Sequence, residues 1–87
     1  MMTAGQLRAA RALLGIDQRT LAELAGLSVP TIQRMEKSDG VVRGNVDSLM
    51  KLIEALEVAG VALIADGPDG GRGVRLKAAP PADDQAP

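Results

Sequence analysis

The 87-residue chain contains no histidine, no cysteine and no phenylalanine, tyrosine or tryptophan. Without cysteine and histidine it has no disulfide, no thiol or imidazole catalysis and none of the common zinc-ligand sets. The sequence therefore predicts neither an enzyme nor a cofactor or metal site. Without aromatic side chains the core has to be aliphatic, and a chain this short buries only about 60% of its unfolded surface. We expect a second subunit to supply further burial.

A long hydrophobic run is also lacking. The longest apolar stretch, residues 58–65, is interrupted by Gly60, whereas a membrane-spanning helix needs about 20 apolar residues. No signal peptide opens the chain. We therefore expect a soluble cytoplasmic protein that has no membrane partner.

The chain has no excess of positive charge, since it carries 10 basic and 11 acidic residues and a formal net charge of −1. The charges are unevenly distributed, however. Residues 1–45 have six basic and four acidic side chains, whereas residues 46–87 have four basic and seven acidic ones. One face of the first half can therefore be positive, and bind a polyanion, although the whole chain is weakly acidic.

Residues 18–37 have the pattern of two short helices joined by a tight turn. Asp17 is a suitable N-cap for the first helix, and Gly26 stands where a helix can end in a left-handed residue. Ser28 is a second N-cap, and Pro30 follows in the first helical turn, where its missing N–H costs no hydrogen bond. Two short helices separated by about three residues are typical of the steep crossing in a helix-turn-helix, which the pattern therefore predicts.

A further helix is predicted on each side of this unit. Thr3 and Gln6 form a capping-box pattern for the first helix, and Gly15 follows its last apolar residue. Asn45 is an N-cap for the fourth helix, which Gly60 ends. Each helix has one apolar face, formed by Leu7, Ala10 and Leu14 in the first and by Leu49, Leu52, Ile53 and Leu56 in the fourth.

Beyond residue 60 the pattern changes to that of a β-hairpin, with strands at residues 61–65 and 74–77 around a glycine-rich turn. The turn lacks the Lys-Ser/Thr pair of a phosphate-binding P-loop, which favours a mobile turn. An isolated hairpin is marginally stable, so this one has to pack on the helices or pair with a second copy. We expect a helix-turn-helix domain at residues 1–60, a dimerisation element at 61–77 and a disordered tail at 78–87.

The spacing Q-x-x-LA-x-x-AG-x-S followed by T-I-x-R-x-E supports a family resemblance. It is present as Gln18, Leu21, Ala22, Ala25, Gly26, Ser28, Thr31, Ile32, Arg34 and Glu36. The segment from residue 6 to about residue 56 resembles the Cro/repressor-type, or xenobiotic-response-element, helix-turn-helix family. With the V-R-L-K ending at residues 74–77, the chain also resembles small bacterial regulators of this type. The resemblance implies a mainly α fold, a four-helix lambda-repressor-like domain with a short C-terminal β-hairpin.

The resemblance implies that the third helix, residues 29–37, enters the major groove of DNA. The candidate base contacts are then Val29, Pro30, Thr31, Gln33 and Arg34. Arg34 would pair with guanine, Gln33 would pair with adenine or contact a phosphate, and the two apolar residues would contact a thymine methyl group. The alternative for Val29 and Pro30 is that they only begin the helix.

The family pattern also implies contacts to the DNA backbone and one internal ion pair. The candidate phosphate contacts are Gln18, Arg19, Lys37 and Arg43, and the alternative for each is an ordinary solvated surface group. Arg11 and Glu36 match a pair that forms a largely buried salt bridge in the family, where it orients the recognition helix.

The function that the resemblance implies is sequence-specific binding of double-stranded DNA by a homodimeric bacterial transcriptional regulator, such as a repressor, that acts at the nucleoid. Two alternatives stay open. In the first, the protein would be an antitoxin that binds both its operator and a toxin. In the second, it would be a protein-interaction module that has the fold without affinity for DNA.

Overall fold

The structure is a computed structural model and describes residues 2–78. Within this range the chain forms four α-helices followed by a two-stranded antiparallel sheet. The elements are α1 (Ala4–Leu14), α2 (Gln18–Ala25), α3 (Val29–Glu36), α4 (Val46–Ala59), β1 (Val61–Ile64) and β2 (Gly73–Leu76). The predicted mainly α fold with a C-terminal hairpin is confirmed. Of the tail predicted to be disordered, all residues except Ala78 lie outside the described range.

Each helix begins at the predicted cap because a side-chain oxygen there accepts the backbone N–H three residues further on. The four caps are Thr3, Asp17, Ser28 and Asn45. Gly15 and Gly26 end α1 and α2 with φ angles of 67° and 68°, which only glycine adopts without strain. Helix α3 ends one residue before the predicted boundary, since Lys37 is its C-cap rather than its last residue.

The core is a single aliphatic cluster to which all four helices and β1 contribute. Its largest fully buried side chains are Leu7, Leu21, Ile32, Met35, Leu52, Leu56 and Val61. Burial of such a side chain stabilises the fold by about 1.5–3 kcal/mol, so these residues compensate for the missing aromatics. The small Ala22 is buried in α2, which packs against both α3 and α4.

The hairpin packs on α1 and α4 and belongs to the folded body. Val61 faces Leu76, and Ile64 faces Gly73 in the last pair before the turn. Strand β2 therefore begins one residue earlier than predicted. The N–H of Lys77 donates to the carbonyl oxygen of residue 60 at 2.8 Å, which extends the pairing to the end of α4.

The N-terminal residues pair with the loop that follows α3, a contact that the sequence did not predict. The N–H of Ala4 donates to the carbonyl of Gly40, and the N–H of Val42 donates to the carbonyl of Met2, both at 2.9 Å. The side chains of Met2 and Val42 are buried. The loop between α3 and α4 is thereby fixed at its middle. None of the helices in the described part of the chain has the length and hydrophobicity of a membrane span.

Candidate nucleic-acid interface

Helix α3 has a buried face and an exposed face. Ile32, Met35 and Glu36 are buried. The opposite face carries residues at i, i+3, i+4 and i+7, the spacing of one helical stripe. This stripe consists of Pro30, Gln33, Arg34 and Lys37, all of which are exposed. The helix therefore presents two cations and an amide to solvent while its other side is held by the core.

The two remaining candidate base contacts have other contacts as well. Val29 is half-buried and packs against the core. Thr31 is half-buried, and its hydroxyl lies 2.8 Å from the hydroxyl of Ser28. The N–H of Thr31 also donates to that serine oxygen at 3.3 Å. Both residues are thus engaged in starting the helix, in addition to any role at the surface.

The exposed stripe of α3 forms one wall of a shallow surface groove. The other wall is the following loop, through Ser38, Arg43 and Gly44. The groove brings Arg34, Lys37 and Arg43 together, and no acidic residue is among those that line it. A concave surface that carries three cations and no carboxylate favours a polyanion such as the DNA backbone.

Two features hold this loop beside the helix. The Ser38 hydroxyl accepts the N–H of Arg43 at 3.4 Å, and it donates to the carbonyl oxygen of Arg34 at 3.5 Å. Gly44 passes so close to Met35 that a Cβ atom there would lie 2.9 Å from the methionine Cε. The position of Arg43 therefore depends on a serine and a glycine that the sequence did not single out.

An ion pair joins α1 to the end of α3. Arg11 Nε lies 2.7 Å from Glu36 Oε2, and Arg11 Nη2 donates to Oε1 at 3.0 Å, which makes the contact bidentate. Burial alone would raise the pKa of Glu36, whose side chain is 5% exposed. Hydrogen bonds from Arg11 and Gln18, and the charges of Arg11 and Arg8, outweigh burial and hold that pKa below its ordinary value.

A family model described as helix-turn-helix matches residues 7–62, which is more than half of the chain. The chain belongs to this Cro/C1-type helix-turn-helix family. The predicted resemblance is thus confirmed, and with it the general function of DNA-binding transcription regulation. No curated protein sequence gives a significant match to the chain. The matched range covers all of α2, α3 and α4 and reaches β1.

The side chain of Gln18 has a hydrogen-bond partner in α3 that the sequence did not indicate. Its Nε2 donates to Glu36 Oε1 at 3.1 Å, which uses one of its two amide hydrogens. The structure places Gln18 and the exposed Arg19 at the first turn of α2, and neither lines the groove beside α3. The candidate phosphate contacts therefore lie in two places, at the start of α2 and along the groove.

Arg8 is a further residue at this site whose role the sequence did not indicate. Its Nη1 donates to the carbonyl oxygen of Glu36 at the end of α3, where unpaired carbonyls and the negative end of the helix dipole favour a cation. Arg11 also donates to the carbonyl of Ile16 at 3.3 Å. Two arginines of α1 thus hold the last residue of the helix-turn-helix unit. A basic residue one turn before Arg11 was the only sequence signal for this contact.

Proposed function

We propose that the protein is a homodimeric, sequence-specific regulator that inserts α3 into the major groove of double-stranded DNA, in the cytoplasm. The observation that supports this most directly is the exposed stripe of α3 facing Arg43 across a groove without acidic residues. A major groove about 12 Å wide admits one helix. The exposed stripe would face the base edges while the opposite face stays in the protein core.

Within this proposal the exposed residues of α3 have separate roles. Arg34 pairs with guanine O6 and N7, and Gln33 pairs with adenine N6 and N7. Pro30 offers an apolar contact to a thymine methyl group. Val29 and Thr31, which are half-buried, contribute smaller contacts at the start of the helix.

The phosphate contacts are proposed for both sides of the recognition helix. Lys37 and Arg43 reach the backbone from the groove. Arg19, the second hydrogen of the Gln18 amide and the free N–H groups at the start of α2 contact a phosphate on the other side. Contacts on both sides would fix the register of α3 without reading the sequence themselves.

We propose that residues 61–77, together with the apolar exposed side of α4, form the dimer contact. Val46 and Met50 lie one turn apart on α4 with 75% and 59% of their surface exposed. The described residues form a sheet of two strands, so each strand has one edge that no further described strand covers. A second copy can pair with such an edge. Two recognition helices about 34 Å apart would then read a pseudo-palindromic site.

The DNA-binding proposal is tested with Arg34→Ala and a matched control. A site selected from a random duplex pool is titrated at several salt concentrations. The wild type should lose affinity steeply as salt rises, because bound phosphates release counterions. Arg34→Ala should bind about 5–150-fold more weakly, the range expected for losing one bidentate base contact. It should also lose the preference at one base pair.

Lys51→Ala is the control, because it removes the same charge from a side of α4 that is turned about 100° away from Met50 and lies outside the proposed dimer contact. It should keep wild-type affinity within about twofold, since exposed groups outside an interface contribute little. A wild type that binds no duplex at any salt concentration would reject the proposal in favour of a protein-interaction module. Equal losses for Arg34→Ala and Lys51→Ala would reject the assigned reading face.

The dimer proposal needs a point substitution rather than deletion of the hairpin, because Val61 is part of the core. Leu76 is 38% exposed on β2, and Leu76→Asp places a charge at the proposed contact. Sedimentation velocity should show a dimer for the wild type and a monomer for this variant, at unchanged helix content. A variant that remains dimeric would exclude β2 from the interface.

A further inference from the structure

Gln6 is one of the two buried polar residues in the described part of the chain, the other being Glu36. Its side chain is 6% exposed and makes three hydrogen bonds to backbone groups. Oε1 accepts the N–H of Thr3 at 2.9 Å. Nε2 donates to the carbonyls of Ile64 and Gly73, at 3.0 and 2.9 Å. One amide thus completes the cap of α1 and also holds the last residue pair of the hairpin.

The N-terminal segment, which the Gln6 amide contacts at Thr3, also binds the loop that follows α3. Residues 2–4 form the two hydrogen bonds with the loop after α3, from Ala4 to Gly40 and from Val42 to Met2. The residue next to Val42 in the chain is Arg43, a proposed phosphate contact. A continuous set of hydrogen bonds therefore runs from the hairpin, through Gln6 and the N-terminal segment, to the loop beside the recognition helix.

Apolar contacts follow the same path. Met2 and Gln6 line a small cavity together with Leu63 and Ile64 of β1 and with Ile53 of α4. Displacement of the hairpin would open this cavity and remove both acceptors of the Gln6 amide. A buried amide without partners is costly, so the side chain would turn toward solvent. The N–H of Thr3 would then lose its acceptor as well.

We infer that Gln6 is a positioning residue that couples the seating of the hairpin to the position of the Arg43 loop. Its consequence for DNA binding rests on the proposed function. The coupling is reciprocal, as any equilibrium coupling between two sites must be. Pairing of the hairpin with a second copy would steady the phosphate-contacting loop, and a phosphate bound at Arg43 would steady the hairpin.

Gln6→Glu tests the coupling with little change of shape. Glutamate at this position can still accept the N–H of Thr3, since it is an equally good capping-box residue. It cannot donate to the carbonyls of Ile64 and Gly73, and its charge repels them. Amide hydrogen exchange is followed in the free protein. The N–H groups of Val42, Ala4 and the hairpin should exchange about tenfold faster or more, while those of α2 change much less.

Asp17→Ala is the matched control, because it removes a helix cap whose hydrogen bond is made within α2, to the N–H of Thr20. It should accelerate exchange at Thr20 and leave Val42 and the hairpin near wild-type rates. The coupling is overturned if Gln6→Glu accelerates the hairpin amides but not Val42. It is equally overturned if this variant accelerates all amides uniformly, because the bonds are then only a general source of stability.

If Gln6→Glu does not fold, exchange of the wild type in low urea decides the question. Amides that open as one cooperative unit share one free energy of opening and one dependence on urea. The hairpin amides and Val42 should share both values, and two separate urea dependences would overturn the coupling.

DNA binding provides a second readout, measured at equal dimer concentration. Gln6→Glu should weaken binding to the selected site by about fivefold or more, the scale of an ordinary coupling between sites, and an unchanged affinity would overturn the inferred consequence. A wild type that binds no DNA would refute the proposed function instead, and the exchange pattern would still test the coupling.

Discussion

Removal of the Arg11 side chain should destabilise the fold strongly, because it leaves Glu36 buried without its ion-pair partner. Glu36 is 5% exposed and Arg11 is 26% exposed, so solvent can replace the guanidinium only in part. Loss of one member of a buried pair costs about 3–5 kcal/mol. We expect Arg11→Ala to fall at the lower end, about 3 kcal/mol, because Gln18 still donates to the carboxylate.

That loss is large for this chain. A domain of this size has a free energy of unfolding of about 4–13 kcal/mol, and 1 kcal/mol corresponds to a shift of about 4–8 °C in Tm. Arg11→Ala should therefore melt about 12–24 °C below the wild type when unfolding is followed by circular dichroism. Arg34→Ala is the control, since Arg34 is exposed, and its Tm should stay close to that of the wild type.

The pH dependence separates a lost ion pair from lost packing. In the wild type the pKa of Glu36 lies below its ordinary value, so the stability from this group is present at neutral pH. It is lost as pH falls below about 4.3, the unfolded value, through the lowered folded pKa. Without Arg11 the effect of burial is less well compensated, so we expect the pKa of Glu36 to be raised relative to the wild type.

The difference in stability between wild type and Arg11→Ala should therefore be largest near neutral pH and should shrink as pH falls below the raised pKa. Melts over a pH series measure this directly. A difference that does not vary with pH would show that the arginine acts through packing alone. Equal losses for Arg11→Ala and Arg34→Ala would refute the assignment of the ion pair as the group that holds α3.

Three further predictions concern backbone positions and are checked by thermal unfolding. Gly44→Ala should lower stability by no more than about 1 kcal/mol, because the new Cβ would approach Met35 Cε to 2.9 Å and the flexible end of that side chain has to shift. Gly5→Ala is its counterpart and should raise stability by up to about 1 kcal/mol, since a Cβ there meets only Thr3 Oγ1 at 3.8 Å. Asn45→Ala should cost about 1 kcal/mol through loss of its bond to the N–H of Ser48, and Asn45→Asp should restore most of that loss. A destabilising Gly5→Ala or a neutral Asn45→Ala would contradict the corresponding geometry.

The local part of the fold was predictable from the sequence. Each helix begins where a side-chain oxygen reaches an N–H three residues away, and α1, α2 and α4 end at glycines in the left-handed region. Both signals lie within a few residues of the boundary that they determine. The ends of the hairpin strands were predicted less well, since β2 begins at Gly73 rather than at Val74. A turn of eight residues does not determine where the strands end in the way that a two-residue turn does.

The contacts that hold the candidate interface together were not predictable. The bond between Val42 and Met2 joins residues 40 positions apart, and nothing in either neighbourhood distinguishes them. Gln6 was identified as a capping residue, which accounts for its oxygen and leaves its two N–H groups unassigned. Family resemblance placed Gln18 at a phosphate, whereas the tertiary fold also places it against Glu36. Polar side chains have several possible partners, and only packing selects among them.

The division of α3 into a buried and an exposed face determines which substitutions in this helix the fold can tolerate. Ile32, Met35 and Glu36 hold the helix, whereas the residues of the exposed stripe make no contact on which the core depends. Substitutions at Gln33 or Arg34 should therefore alter the DNA sequence that is bound at little cost in stability. Substitution of Glu36 should reduce stability and DNA binding together, because it releases both Arg11 and Gln18. If α3 reads the DNA as proposed, specificity and folding are separable within a helix of only eight residues.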